Sequence, residues 1–319
     1  MWNDSVIDGR FAAKSGQARS PHWQKLFILV LMPDPGKSAR SSPVISSREN
    51  RWLKEFRVAL RGGLPTESGA VGVEGVRLTE EALSSGCRIE AVLFSESGRR
   101  HHARLAPYLD REEIAFPILY TTGRLFEGIA DTEHPQGIAA LVEPREFSFD
   151  DILRPSLSGA APLLIVLAGV QDPGNVGTML RTAAAFGATA AITSASGQSG
   201  TASPFSPKAL RASAGAALHI PILAGPALPI LLAQLHASKI RTLATSSHSD
   251  ASALAPWDVD WREPIALLIG NEGAGLPEEI ERSTSARVRI PISGGIESLN
   301  AAAAAAVLFY ESSRQRNSL

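Results

Sequence analysis

Residues 162–183 read PLLIVLAGVQDPGNVGTMLRTA, and the change of period inside this stretch decides the fold class. Leu163–Ala168 is an unbroken apolar run of strand length. A strand with one wet face alternates; a continuous run fits a strand buried on both faces of a helix-covered parallel sheet. Pro173 and Gly174 then turn the chain, and Val176, Met179, Leu180, Ala183 and Ala184 recur at helical spacing up to Gly187, a natural C-terminal stop. The strand–glycine turn–helix phrase repeats downstream. Further strands are expected at Ala190–Thr193, Leu218–Leu223, Ile240–Thr245, Ile265–Ile269 and Val288–Pro291. Residues 161–319 therefore read as an α/β domain built on a parallel sheet.

Upstream, residues 44–143 read as a smaller α/β domain. A helix is expected over 46–62, with Trp52, Leu53, Phe56 and Leu60 on its apolar side and Arg48, Arg51, Lys54, Arg57 and Arg61 as a basic stripe. That stripe is either a solvated face or a phosphate-contacting one. Strands follow at Ala70–Glu74, Ile89–Phe94, Ile118–Tyr120 and Gly137–Val142, with a helix at Arg77–Ser85 ended by Gly86. Residues 144–160, rich in Pro, Ser and Gly, read as a linker. Residues 1–43 show no sustained period and read as a disordered tail or an over-extended start, with Met32 the alternative initiator.

Composition narrows the function. The 319 residues carry a formal net charge of -1, so any nucleic-acid surface must be a local patch. The lone cysteine, Cys87, excludes an intramolecular disulfide and a Cys-rich zinc site and fits the cytoplasm. The histidines show no metal-ligand spacing, no metal is expected, and the apolar run Leu26–Met32 is too short to span a bilayer. Pro35–Ser38 reads PGKS, the tail of a phosphate-binding loop, but position 31 is Leu31 where that motif needs glycine.

Chemistry gathers where the C-terminal strands end. After the first strand come Asn175, Gly177 and Arg181; Gly177 and Arg181 share a helical face, which suits an anion approaching closely or is a plain turn with a surface arginine. Residues 203–216, SPFSPKALRASAGA, put Lys208 and Arg211 three apart, for phosphate or for solvent. Residues 267–277, LLIGNEGAGLP, run a buried strand into three glycines that bracket Asn271 and Glu272. Glycines let backbone groups approach a ligand, and the spacing is not that of a dinucleotide cradle. Residues 290–300, IPISGGIESLN, repeat the pattern and place Ser298, a possible N-cap, and Asn300 before the run Ala301–Ala306. Six alanines leave a helix almost without bulk, as if another element or a second subunit packs very close.

Taken together, NVGTMLR (175–181), IGNEGAGLP (269–277) and IPISGGIESLN (290–300) resemble the three motifs of the SpoU/TrmH family of RNA ribose 2′-O-methyltransferases, within the SPOUT superfamily. SSREN (46–50), VEGVR (73–77) and QGI (136–138) resemble more loosely that family's L30e-like RNA-binding domain. The resemblance implies a C-terminal SPOUT domain with a deep trefoil knot, rare among protein folds, and a homodimer. It implies S-adenosylmethionine (SAM) as cofactor, contacted by Gly270, Ile290 and Leu299 with Thr245 near the adenosine. Asn175, Arg181, Glu272, Ser298 and Asn300 match catalytic or substrate-site positions, and Arg48, Arg51, Lys54, Lys208 and Arg211 are the RNA-binding candidates.

The implied chemistry aligns a ribose oxygen with an electrophilic methyl. An arginine is a poor base, so Arg181 is expected to clamp phosphate and stabilise developing alkoxide charge, with Glu272 as proton acceptor or orienter. The expected substrate is structured RNA, 23S rRNA ahead of tRNA. The alternatives are an RNA-binding ribosome-assembly factor without catalysis, which would not need to bind SAM, and a nucleotide-dependent α/β enzyme, for which the phosphate loop is missing.

Overall fold

The computed structural model describes residues 44–110, 115–154, 159–195, 200–246, 252–293 and 298–317. The expected tail at 1–43 lies outside them, as do 247–251 and 294–297.

Two sheets organise the described chain. The first is mixed and has the order β1-β4-β3-β5-β2, from β1 (Val44–Ile45), β2 (Val71–Glu74), β3 (Arg88–Ser95), β4 (Ile118–Thr121) and β5 (Ile138–Glu143). β3 runs parallel to β4 and antiparallel to β5. Helix α1 (Arg51–Leu60) lays Leu53, Phe56 and Leu60 on one face of this sheet. It is shorter than expected because the Asn50 side chain accepts from Trp52 N and caps it there. Arg48 therefore precedes the helix and does not belong to its stripe. Helices α2 (Val76–Ser84), α3 (His102–Leu109) and α4 (Gly123–Glu127) complete this part.

The second sheet is parallel throughout, in the order β11-β9-β10-β6-β7-β8. Its strands are β6 (Leu163–Ala168), β7 (Ala190–Ser194), β8 (Ile222–Ala224), β9 (Arg241–Thr245), β10 (Ile265–Ile269) and β11 (Ala286–Val288). Leu163, Ile165 and Leu167 face one core while Leu164, Val166 and Ala168 face another, which is why the run in β6 has no polar interruptions. Helices α6 (Pro173–Ala185) and α10 (Ala301–Asn317) pack together on the first side. Helix α8 (Leu228–Ala237) covers the second with Leu231 and Leu235. Helices α7 (Pro207–Ser213) and α9 (Glu278–Ser283) are short.

Several expectations are corrected. The strand expected at 218–223 is a 3-10 turn at Ala216–Leu218 followed by β8. The strand expected at 288–291 is β11, ending at Val288, so Ile290 lies in the following loop. Residues 144–160 contain helix α5 (Phe149–Leu153), started by a Ser148–Asp151 capping box. One core cluster also joins the two sheets: Val92, Phe94 and Ile138 belong with Ile165, Met179 and Leu210. Between them Arg211 pairs with Asp131 at 2.7 Å, His219 with Glu81 at 3.0 Å, and Cys87 Sγ donates to Leu218 O at 3.6 Å.

Candidate active site

Strands β6 and β10 are neighbours although β7, β8 and β9 lie between them in the chain, so their carboxyl ends form a switch point. Loops diverge there and leave a crevice, the usual ligand position in open α/β sheets. The two loops are tied together: Asn271 Nδ2 donates to Gly169 O at 2.9 Å. Asn271 Oδ1 accepts from Gly273 N and Ala274 N, both at 3.0 Å, and the Asn271 and Gly275 backbones exchange two hydrogen bonds. This closed turn was absent from the sequence-based site; an Asn between glycines at a strand end is the signal that marks such turns.

Beside the turn lies a cavity of about 310 Å³. It brings together Thr245 from the end of β9, Gly270 after β10, Ile290 after β11, and Ser298 and Leu299 before α10. Thr245 Oγ1 donates to Leu268 O at 3.0 Å, fixing the β9 end to β10. Ala301, Ala304 and Leu308 line the same cavity, while Ala302, Ala305 and Phe309 are buried. The alanine run thus serves two faces: one buried in the core beside α6, as expected, and one walling the cavity, which was not foreseen. Ile269, Val288, Ile290 and Leu308 supply apolar wall and the glycines of the turn supply backbone, a lining and size that suit an adenosine-bearing cofactor.

Three of the catalytic candidates form one hydrogen-bonded chain. Asn300 Nδ2 donates to Asn175 Oδ1 at 3.2 Å, and Asn175 Nδ2 donates to Glu272 Oε1 at 3.1 Å. Asn300 Oδ1 accepts from Ala302 N at 2.9 Å and Ala303 N at 3.2 Å, so Asn300, not Ser298, starts α10. Ser298 lines the cavity with no hydrogen bond of its own among the described residues.

Glu272 also accepts from Gln171 N and Asp172 N, both at 3.2 Å. Partial burial pushes its pKa up, but hydrogen bonds from Asn175 and from backbone N–H groups outweigh that, so the carboxyl ionises below its ordinary range. A carboxylate so occupied orients better than it abstracts. Glu272→Gln is expected to slow methyl transfer about tenfold or more, because the amide NH₂ faces donors. The rate–pH profile between about pH 6 and 9 should keep its shape, since this carboxyl is already ionised there. Loss of an acidic limb in the variant would make Glu272 the proton acceptor instead.

Arg181 stands apart from that chain. It is exposed and has no hydrogen bond or ion pair among the described residues. Six residues beyond Asn175, it sits about 9 Å further along the α6 axis and about 120° around it. Gly177 does not share an anion-facing surface with it. A Cβ there would lie 2.7 Å from the Ala212 side chain and 2.9 Å from Ser213 N, so this glycine lets α6 and α7 cross closely.

The RNA-binding candidates are scattered. Lys208 Nζ meets Asp172 Oδ1 at 2.5 Å, and that contact, with the Gly174 N–H behind it, holds the Asp172 carboxyl below its ordinary range. Arg211 is held by Asp131 at 2.7 Å. At the start of α1, Arg51 stacks over Trp52 at 4.6 Å, Lys54 pairs with Glu49 at 2.7 Å, and Arg48 is exposed.

Residues 162–310 match the model of the SpoU rRNA methylase family, and residues 66–140 match an MRM3-like substrate binding domain. The chain is 32% identical over 268 residues to the 23S rRNA (guanosine(2553)-2′-O)-methyltransferase RlmP of Bacillus subtilis, covering 83% of this chain and 97% of that one. The chain belongs to the SpoU rRNA methylase family. Among solved structures, the AdoMet-bound rRNA methyltransferase from Sinorhizobium meliloti superposes with a TM-score of 0.70 at 28% identity, covering 86% of this chain and 98% of that one. The SpoU methyltransferase AviRb from Streptomyces viridochromogenes, in complex with AdoMet, gives a TM-score of 0.70 at 26% identity over 84% and 99%. The fold is that of the SPOUT methyltransferases.

Proposed function

We propose that this SpoU-family protein transfers a methyl group from SAM to a ribose 2′-hydroxyl of structured RNA, 23S rRNA before tRNA. The observation that carries the reading is the convergence of three strand ends on one backbone-rich cavity, with the Asn300–Asn175–Glu272 chain beside it. Thr245, Gly270, Ile290 and Leu299 would hold the cofactor, which supplies an electrophilic methyl when bound. The chain's own residues position the acceptor: Asn175 and Asn300 are fixed by Glu272 and by the α10 N-terminus, and Arg181, exposed, offers its guanidinium to a phosphate or to the developing oxyanion. Among the relatives, RlmP acts on a guanosine and a Streptomyces viridochromogenes enzyme on a uridine of 23S rRNA, so family membership leaves the base open.

We further propose that two copies of the chain pair as a homodimer. Exposed Val307 and Tyr310 lie on α10, which packs on α6, and Tyr310 meets Phe186 edge-on at 5.9 Å. No helix among the described residues is long and apolar enough to cross a membrane. Calorimetry with SAM, followed by mapping of 2′-O-methyl groups on unmodified 23S rRNA incubated with protein and cofactor, tests the reading. One SAM per chain and one modified ribose are expected. Absence of SAM binding would leave the non-catalytic assembly factor.

A further inference from the structure

A second polar cavity, of about 400 Å³, opens in the small sheet and shares no residue with the one beside β10. It lies where the parallel neighbours β3 and β4 both stop, at the paired residues Ser95 and Thr121. Carboxyl ends of parallel strands are where such sheets leave room for ligands. The floor is tightly built. Ser95 N donates to Gly137 O at 2.7 Å, and Gly98 N donates to Ser95 Oγ at 3.2 Å. A Cβ on Gly98 would fall on the Gly137 carbonyl, and one on Gly137, at φ +80°, would fall on Ser95 Oγ. Only glycine permits this approach.

The rim mixes donors with acceptors. Arg100 spends its Nε on His101 at 3.2 Å, and its terminal nitrogens have no partner among the described residues. Gln136 Oε1 accepts from Val76 N at 2.8 Å, leaving its amide NH₂ over. Glu127 and Glu133 have no hydrogen bond or ion pair among the described residues. Two carboxylates repel a bare phosphate, and an apolar ligand would leave all four groups without partners. A nucleobase edge satisfies both kinds at once. Guanine fits best: its N1–H and N2 amino group give to carboxylates, and its O6 and N7 accept from a guanidinium. The surroundings suit a polyanion, with Arg99 over the Tyr120 ring at 4.7 Å and Arg124 in the first turn of α4.

We infer that this cavity takes one unpaired guanine of the RNA substrate, a nucleotide other than the one methylated, with Arg100 and Glu133 reading its edge. The inference rests on the RNA-methyltransferase reading above. Its test uses the full-length protein in two assays. The first is fluorescence anisotropy with labelled nonamers rUUUUGUUUU, rUUUUAUUUU and rUUUUUUUUU at fixed salt. The second is steady-state methyl transfer to unmodified, in vitro-transcribed 23S rRNA. Wild type should prefer the guanine nonamer about tenfold. Arg100→Ala and Glu133→Gln should each remove the preference and raise KM for 23S rRNA while kcat holds. Equal affinity for all three nonamers, or a preference that survives both substitutions, overturns the guanine site. A protein that selects guanine but transfers no methyl supports the site and sinks the proposed activity; one that methylates without base preference does the reverse.

Discussion

Arg181→Ala should lower kcat for methyl transfer about 10²–10³-fold, the cost of removing one donor aimed at developing charge. Its affinity for SAM should stay within about twofold, because Arg181 is not in the wall of the cofactor cavity. The expectation rests on a contrast between cations. Lys208 and Arg211 already hold carboxylates, Asp172 and Asp131, whereas Arg181 on the exposed side of α6 holds none among the described residues. An exposed guanidinium without a partner costs little to bring against an anion, since no ion pair has to break first. Arg181→Lys separates two versions of the role. If a planar fork spans two oxygens, lysine restores little; if a point charge suffices, it restores most of the rate. Single-turnover transfer at saturating RNA, with RNA affinity measured alongside, reads the effect. Near wild-type rates in Arg181→Ala with RNA binding intact would remove Arg181 from the chemistry.

What the sequence could and could not announce follows from the range of the forces involved. Strands β6 and β10 were legible because burial on both faces leaves an unbroken apolar run, a purely local signature. Strands β8 and β11 were misplaced because each is an edge of three residues, defined by pairing with β7 and β9 and not by its own composition. The glycines were visible but their reasons were not. Gly177 looked like room for a substrate and is room for α7, a contact 32 or more residues away in the chain. Likewise Ser298 and Asn300 are both good caps; only the hydrogen bonds to Ala302 and Ala303 decide for Asn300. Asn175, Glu272 and Asn300 were named from the motifs, but their connection as one chain of hydrogen bonds needs the sheet order that brings β6 beside β10. The carboxylate partners of Lys208 and Arg211 come from the turns before α6 and before β5, which no spacing rule along α7 could reveal.

Two glycines of one turn, Gly270 and Gly273, differ sharply in the room around them. Gly270→Ala is expected to abolish measurable SAM binding, a loss of at least about 100-fold. A Cβ at position 270 would sit 2.5 Å from both Gly275 O and Leu276 N. These are backbone atoms with no rotamer to change, and Asn271 and Gly275 lock them by mutual hydrogen bonds. To admit the methyl group the turn must open, and with it goes the cavity wall formed by Gly270, Gly273 and Gly275. Overpacking that only the backbone can relieve typically costs 1–3 kcal/mol or more, enough to forfeit the closed turn. Gly273→Ala is the matched control. Its Cβ would meet nothing nearer than Asn271 Oδ1 at 3.6 Å, an ordinary contact, and its φ is not among the positive ones. That variant should bind SAM within a few-fold of wild type. Thermal unfolding of both proteins distinguishes a lost site from a lost fold: the melting temperature of Gly270→Ala should fall by only a few degrees, because the strain is confined to a surface turn at the end of β10. If the two variants bind SAM equally well, the closed turn is not what shapes the cofactor site, and the geometric basis for placing SAM there fails.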